Sequence, residues 1–414
     1  MSIFTKNISE ITFSDVSVFC DRKITEGTQV EYKGHIPDNE KIAKIVSSFA
    51  NTYGGVLIIG VDAPDRIPVT PVLGTSYDSG LEEKITSICL DIINPPIIPQ
   101  VAVCRRDDDR KKCAIIIRVA ESDQTPHRVD DEKGIYIRAN SQSRPVRAKF
   151  EEIEWLMNRR IKAIENRERL LSRAADRYGI TTQQVSRMPS KEVHIIPLFP
   201  SKAYCDLSNF ERTVYKSAIN RSNNTFPPNM RDVLSQNESL IYKYFREENK
   251  SQYISYTEIN QFGLIWSRDN YVAHFRNDPS IPDAKDSIEP VEIVAHLCYP
   301  ILFAAKLYEA IGYYGTVQIE YIIEGLLYKY ISFRKEQQIE RRKKWGPINL
   351  DDKIKLACNF SAQKLRDDIN YVASKFLSDF LWSCGASQDA VNSRWLNTTV
   401  VEVVSEIMSY EQES

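Results

Sequence analysis

The sequence predicts an α+β protein, with a mixed α/β domain over residues 1–150, a charged linker helix over 151–190, a second α/β region over 191–287 and a helical region over 288–414. Two patterns predict it. Between residues 25 and 150 short β-branched runs alternate with stretches of helical periodicity, whereas beyond 288 long amphipathic patterns dominate. Length adds a third constraint, because 414 residues exceed what one hydrophobic core organises.

In the first domain TQVEYK, VLIIGVD, QVAVCR, CAIIIRVA and GIYIRA read as strands, and 39–52 and 80–93 as helices. Asp38 or Asn39 can cap the first helix, whose Ile42, Ile45, Val46 and Phe49 recur at helical spacing. Gly54-Gly55 ends it, since glycine tolerates the left-handed conformation of a C-terminal cap. The charged run RRDDDRKK between two apolar strands reads as a solvated hairpin loop. Residues 150–178 form one charged helix with apolar positions at Ile153, Leu156, Ile161, Ile164 and Leu171. SLIYKYFRE, QYISYTEI and FGLIWSR are the strand-like pieces of the second region. Further on, 291–311, 352–356 and 364–381 read as helices, and the basic run 334–344 as a solvated helix face.

Composition removes several classes. Hydrophobic residues at 42%, with 15 glycines and 19 prolines in 414 residues, exclude a disordered or collagenous chain. The 54 basic and 56 acidic side chains nearly cancel, so a polyanion would need a local basic patch. Eight scattered cysteines show no zinc-ligand spacing and read as reduced thiols. The opening MSIFTKNISEITFSD has neither a basic start nor an apolar block, which predicts no secretory signal and a cytoplasmic location. The most apolar stretch, 291–312, carries Glu292, His296, Lys306 and Glu309, so it reads as a core helix and no membrane is implied.

The chemically informative text is EGTQVEYK followed by KIAKIVSSFANTYGGVLIIGVD. On a strand Gln29, Glu31 and Lys33 share one face while Val30 and Tyr32 take the other. Glu26, five residues before Glu31, can converge with it only if the chain bends near Gly27-Thr28. Asp62 lies just past an apolar strand. Two or three carboxylates beside a lysine make an oxygen-rich site for Mg²⁺ or Mn²⁺, with Lys33 offsetting charge that develops on a phosphate. The same spacing also describes ordinary surface acids with a weak Glu31–Lys33 pair. No acid separates Arg138 from Lys149, so Arg138, Arg144, Arg147 and Lys149 form a stretch able to contact phosphates, or a solvated cluster beside Asp130, Asp131 and Glu132. His127 after Pro126 is assigned to binding, and Asn51 and Thr52 to the helix end. The glycine pair matches neither a Walker-type loop nor a dinucleotide fingerprint.

FANTYGG, VLIIGVD, Pro126-His127 and GIYIRANSQS, in that order, resemble the Schlafen-type AlbA-like domain over about residues 20–150. The family includes Schlafen proteins, whose core is a metal-dependent endoribonuclease of tRNA and rRNA, and bacterial proteins described as DNA-binding regulators, some expected in phage defence. The resemblance implies Glu26 and Glu31 as acids and metal ligands, with Lys33 as the family lysine. The third acid departs from the pattern: the family reads GVDD where this chain reads Gly60-Val61-Asp62-Ala63, leaving Asp62 as the nearest substitute and Asp65 as a weaker one. Schlafen cores close a saddle around RNA with two AlbA-like lobes, and one lobe here implies a homodimer or larger assembly. Three functions follow: a Mg²⁺- or Mn²⁺-dependent endonuclease of structured, tRNA-like RNA, which the matched acids favour; a non-catalytic nucleic-acid-binding regulator, RNA or DNA; and a defence sensor or scaffold holding a protein partner through its C-terminal regions.

Overall fold

The structure is a computed structural model and describes residues 3–4, 6, 8–130, 134–139, 144–181, 190–200, 202–221, 224–228, 233–248, 251–269, 287–288, 290–327, 330–331, 351–385 and 394–412. The basic run 334–344, Asp131, Glu132 and the NSQS of GIYIRANSQS lie outside those residues. Two compact units divide at Met1–Ala163 and Ile164–Ser414.

The first unit runs α1 (Phe13–Asp21), β1 (Val30–Lys33), α2 (Asn39–Asn51), β2 (Gly55–Ile59), β3 (Thr75–Ser76), α3 (Leu81–Ile92), β4 (Ile93–Asn94), β5 (Gln100–Arg105), β6 (Lys112–Val119), β7 (Arg128–Val129), β8 (Gly134–Ile137) and β9 (Val146–Arg147), then enters α4 (Phe150–Thr181). β1 pairs parallel with β2, and β6 pairs antiparallel with β2, β3 and β5. β2 is apolar at every position because both of its faces are covered: Leu57 and Ile59 pack with Ile42, Ile45 and Phe49 of α2 and Ile85 of α3, while Val56 and Ile58 pack with Val16 and Phe19 of α1. Asp38 caps α2 by accepting from the Lys41 N–H at 2.8 Å. Gly54, at φ +69, ends it where an added Cβ would lie 2.8 Å from the backbone of Val119 and Glu121. The charged run is the β5–β6 hairpin loop, as its pattern predicts, with Arg105 opposite Cys113. A smaller antiparallel ladder, β4-β7-β8-β9, is fastened to the end of α2 by buried Asn51: its Nδ2 donates to the carbonyls of His127 and Tyr136, both at 2.9 Å, and its Oδ1 accepts from the His127 N–H at 2.8 Å.

The second unit begins within α4. It continues through β10 (Ser190–Pro197), α5 (Leu207–Ser217), β11 (Ile219–Arg221), β12 (Asn224–Phe226), β13 (Val233–Gln236), β14 (Ser239–Glu248), β15 (Ser251–Asn260), β16 (Ile265–Asp269), β17 (Ser287–Ile288), α6 (Pro290–Ala310), β18 (Thr316–Glu324), β19 (Tyr330–Ile331), β20 (Lys353–Ser361), α7 (Ala362–Asp367), α8 (Ile369–Ser383) and α9 (Arg394–Gln412). Its seven-stranded antiparallel sheet has the order β13-β14-β15-β16-β10-β18-β20. Val193, Ile195, Val317, Ile319, Tyr321 and Ile323 turn one face to α6, α8 and α9, and Leu170 and Ala174 of α4 pack with Ile196, Tyr256 and Trp266 of the other.

Two sequence expectations are corrected here. The division at 287/288 does not hold, because β18 and β20 complete the sheet begun by β10. Residues 353–356 of that stretch belong to a strand: Ile354 and Leu356 are buried while Lys353 and Lys355 are exposed, a period of two that a five-residue window cannot separate from a helical one. α6 is long and apolar enough to cross a membrane, yet it is packed into the core of this unit, in keeping with the core-helix reading.

On the face opposite the long helices, His194 sits between carboxylates. Its Nε2 contacts Glu192 Oε1, its Nδ1 lies 3.5 Å from Glu320 Oε2, and its ring stacks on Trp266 with centroids 5.7 Å apart. Burial pulls the imidazole pKa down, but the two glutamates outweigh it and hold it above the usual range. A raised pKa makes this stabilisation complete below the unfolded value of about 6.5 and lost as pH rises through the folded value. The second unit of the wild type is therefore expected to lose more thermal stability between pH 6 and 9 than that of His194→Gln, measured by amide hydrogen exchange in β10 and β18.

Candidate functional site

Glu31 lies on β1, which stands at one end of the strand order, opposite Leu57 of β2, so its side chain points to the face covered by α2. The bend required to bring Glu26 back is present. The Gly27 N–H donates to the Val30 carbonyl at 3.0 Å, the Glu26 N–H donates to the Arg66 carbonyl at 2.8 Å, and Glu26 Oε1 accepts from the Tyr32 N–H at 2.8 Å. Both glutamates then act on one cation, Arg138.

Arg138 closes the centre of the site. Its Nη2 contacts Glu31 Oε2, its Nε donates to Ser48 Oγ at 3.0 Å, its N–H donates to Thr52 Oγ1 at 2.9 Å, and its guanidinium carbon lies 4.1 Å from the Phe49 ring centroid. Burial pulls its pKa down while Glu31 and Glu26 oppose that pull, and a guanidinium stays protonated in either case. With its side chain fully buried, Arg138 is a counterion of Glu31 and cannot be the phosphate contact that the basic stretch suggested. Lys33 can. Its ammonium is 2.6 Å from Glu31 Oε1 and 3.1 Å from the Tyr32 carbonyl, and at 34% side-chain exposure it retains a donor for solvent or a ligand.

Arg144 and Arg147 are exposed. Arg147 stands opposite Tyr136 and crosses Gly134, where an added Cβ would lie 2.8 Å from its Nε. His127 is not at the surface: it is 1% exposed, its Nδ1 is 2.7 Å from the Pro95 carbonyl and its Nε2 is 2.7 Å from Ser122 Oγ. A carbonyl only accepts, so Nδ1 carries the proton and neutral Nε2 accepts from the serine hydroxyl. Burial lowers its pKa to about 4. The ring is a structural strut and not a ligand contact.

β2 ends at Ile59, and exposed Asp62 packs against Gly34, where a Cβ would be 1.9 Å from its Oδ1. A side chain at position 34 would have to displace that exposed carboxylate. Glu31 has both oxygens on cations, Glu26 gives Oε1 to a backbone N–H, and among the described residues no three His, Cys, Asp or Glu side chains converge to hold a metal ion. The arrangement of Glu26, Glu31 and Asp62 thus does not fit a resident Mg²⁺ or Mn²⁺. No sequence pattern singled out Ser48, whose signal is a small hydroxyl among the buried positions of α2, near Ser47 and Asn51.

Two outcomes are expected. Arg138→Ala leaves the buried Glu31 Oε2 without its cation and costs about 3–5 kcal/mol of stability, against roughly 0–1 kcal/mol for Lys33→Ala, both read by denaturant unfolding. A depressed histidine pKa stabilises above about 6.5 and is lost as pH falls toward the folded value, so the wild-type thermal midpoint is expected to drop more steeply than that of His127→Gln between pH 6.5 and 4, by up to about 3 kcal/mol of stability.

No curated protein matches the chain. The family described as Schlafen, AlbA_2 matches residues 26–147, a segment that contains Glu26, Glu31, Lys33, Asp62, His127, Arg138, Arg144 and Arg147. The N-terminal part of the chain carries a Schlafen-type AlbA-like domain, which points to a nucleic-acid-related role.

Proposed function

We propose that the first unit binds structured nucleic acid, RNA in preference to DNA, through phosphate contacts from Lys33, Arg144 and Arg147. The observation that carries it is the chain Arg138–Glu31–Lys33: a fully buried guanidinium fixes a carboxylate, and the carboxylate holds an ammonium at the solvent boundary. Phosphate oxygens are acceptors suited to the remaining Lys33 donor and to the arginine forks. One matched domain per chain makes a pair of chains around the nucleic acid part of this reading, with light scattering as its check.

Divalent-metal-dependent cleavage is a second reading, favoured by the bend that returns Glu26 to β1, where its Oε1 accepts from the Tyr32 N–H next to Glu31. It requires Glu31 to exchange a cationic partner for Mg²⁺ or Mn²⁺. Incubation of purified protein with tRNA and Mn²⁺ beside Glu31→Gln separates the readings: binding without cleavage by either protein supports the first, and cleavage lost only in the variant supports the second. For binding itself, Lys33→Ala is expected to weaken affinity and to reduce the slope of log affinity against log salt by about 1. Unchanged affinity and slope would remove Lys33 from the interface.

A further inference from the structure

Immediately after Asp62 the chain makes a loop that displays apolar side chains to water. Ile67, Val69 and Leu73 are 42%, 45% and 62% exposed and Pro71 is exposed, whereas Pro68 and Val72 between them are buried. Ile67, Val69, Pro71 and Leu73 thus expose their side chains along one bent loop, which includes the cis Thr70–Pro71 peptide. The segment is pinned along its length. The Val69 N–H donates to the Asp62 carbonyl at 2.8 Å, the Gly74 N–H to the Gly60 carbonyl at 3.1 Å, and Lys23 Nζ to the Pro68 carbonyl and Thr70 Oγ1 at 3.0 and 2.9 Å. Its entry is strained, since Asp65 and Arg66 hold left-handed φ values of 54° and 67° without being glycine. Strain of this kind persists where surrounding bonds fix it and clusters at functional surfaces.

The loop adjoins the acid–lysine site, because the Arg66 carbonyl takes the Glu26 N–H and Asp62 touches Gly34, the residue after Lys33. Cations flank the strip: Lys23 along one length of its backbone, exposed Arg66 at its start, and Arg106, whose Nη1 is 3.5 Å from the Leu73 carbonyl. Asp62 and Asp65 are the exposed acids at its base, and Arg106 also pairs with Asp108. An aliphatic ridge bordered by cations suits a ligand with apolar faces on an anionic backbone.

We infer that residues 67–73 form a wedge that packs Ile67, Val69 and Leu73 against unstacked bases of the nucleic acid held at Lys33, a use of aliphatic side chains that polyanion recognition permits. The inference rests on the nucleic-acid reading above. It is tested with the full-length chain and an RNA hairpin carrying 2-aminopurine in its loop, comparing the wild type with the Val69→Ser/Leu73→Ser double variant and with Lys33→Ala. Wild-type binding is expected to raise 2-aminopurine emission as the base leaves its stack. The double variant should bind roughly tenfold more weakly and lose the rise, with its salt slope and thermal midpoint unchanged. Lys33→Ala should keep the rise and lose salt slope. A double variant that matches the wild type in affinity and emission overturns the wedge while leaving the binding reading intact. If the double variant keeps its RNA binding but no longer self-associates in light scattering, the strip is a protein contact and the inference fails. A wild type that binds no RNA overturns both.

Discussion

The first unit is organised around a buried ion pair. Removing a guanidinium from water is tolerated only when its charge is matched and its N–H groups are accepted, and Arg138 meets both conditions through Glu31, Ser48 and the face of Phe49. Those partners come from β1 and α2, and Arg138 itself follows β8, so one interaction fixes three elements. Asn51 and His127 extend the same polar seam to β7 and β8, leaving few ways for the small ladder to slide. What reaches the surface from this seam is the Lys33 ammonium.

The second unit uses a related device on a larger sheet. Its hydrophobic face is covered by α6, α8 and α9, whereas the other face carries charge within a layer partly covered by α4. Glu192 holds both His194 and Arg268, Glu324 holds Arg268 and Lys353, and Glu320 lies 3.1 Å from Lys355. Cross-strand pairs of this sort fix register, because a slip of one residue would turn every charge into the core. The histidine is the one member of this ladder whose charge changes near neutral pH.

A Schlafen-type AlbA-like segment need not hold a metal to contact phosphate. In this chain Glu26 and Glu31 have internal partners, whereas Lys33, Arg144 and Arg147 keep basic groups toward solvent. Next to the Glu26–Lys33 segment the pinned loop from Ile67 to Leu73 exposes apolar side chains. On the reading proposed above, charge draws the polyanion in and the loop grips its bases, which separates affinity from selectivity.

Much of this was readable from the amino-acid order. The runs of β2, β5 and β6, the helical spacing of Ile42, Ile45 and Phe49 and the glycine stop after α2 are local signals, and local periodicity is set by the backbone geometry of each element. The turn that returns Glu26 to β1 was legible as a requirement, since an odd separation on a strand forbids convergence without one. Burial was not legible. Arg138 and Arg144 belong to one basic stretch, yet one is locked inside and the other faces water, because that difference is decided by Glu31, 107 residues away. The same holds for His127, whose partner Pro95 is distant in the chain, and for β20, whose identity depends on pairing with β18. The order of residues determined which elements form and which side chains could react; their desolvation, and hence which charges remain free for a ligand, was decided by contacts that exist only in three dimensions.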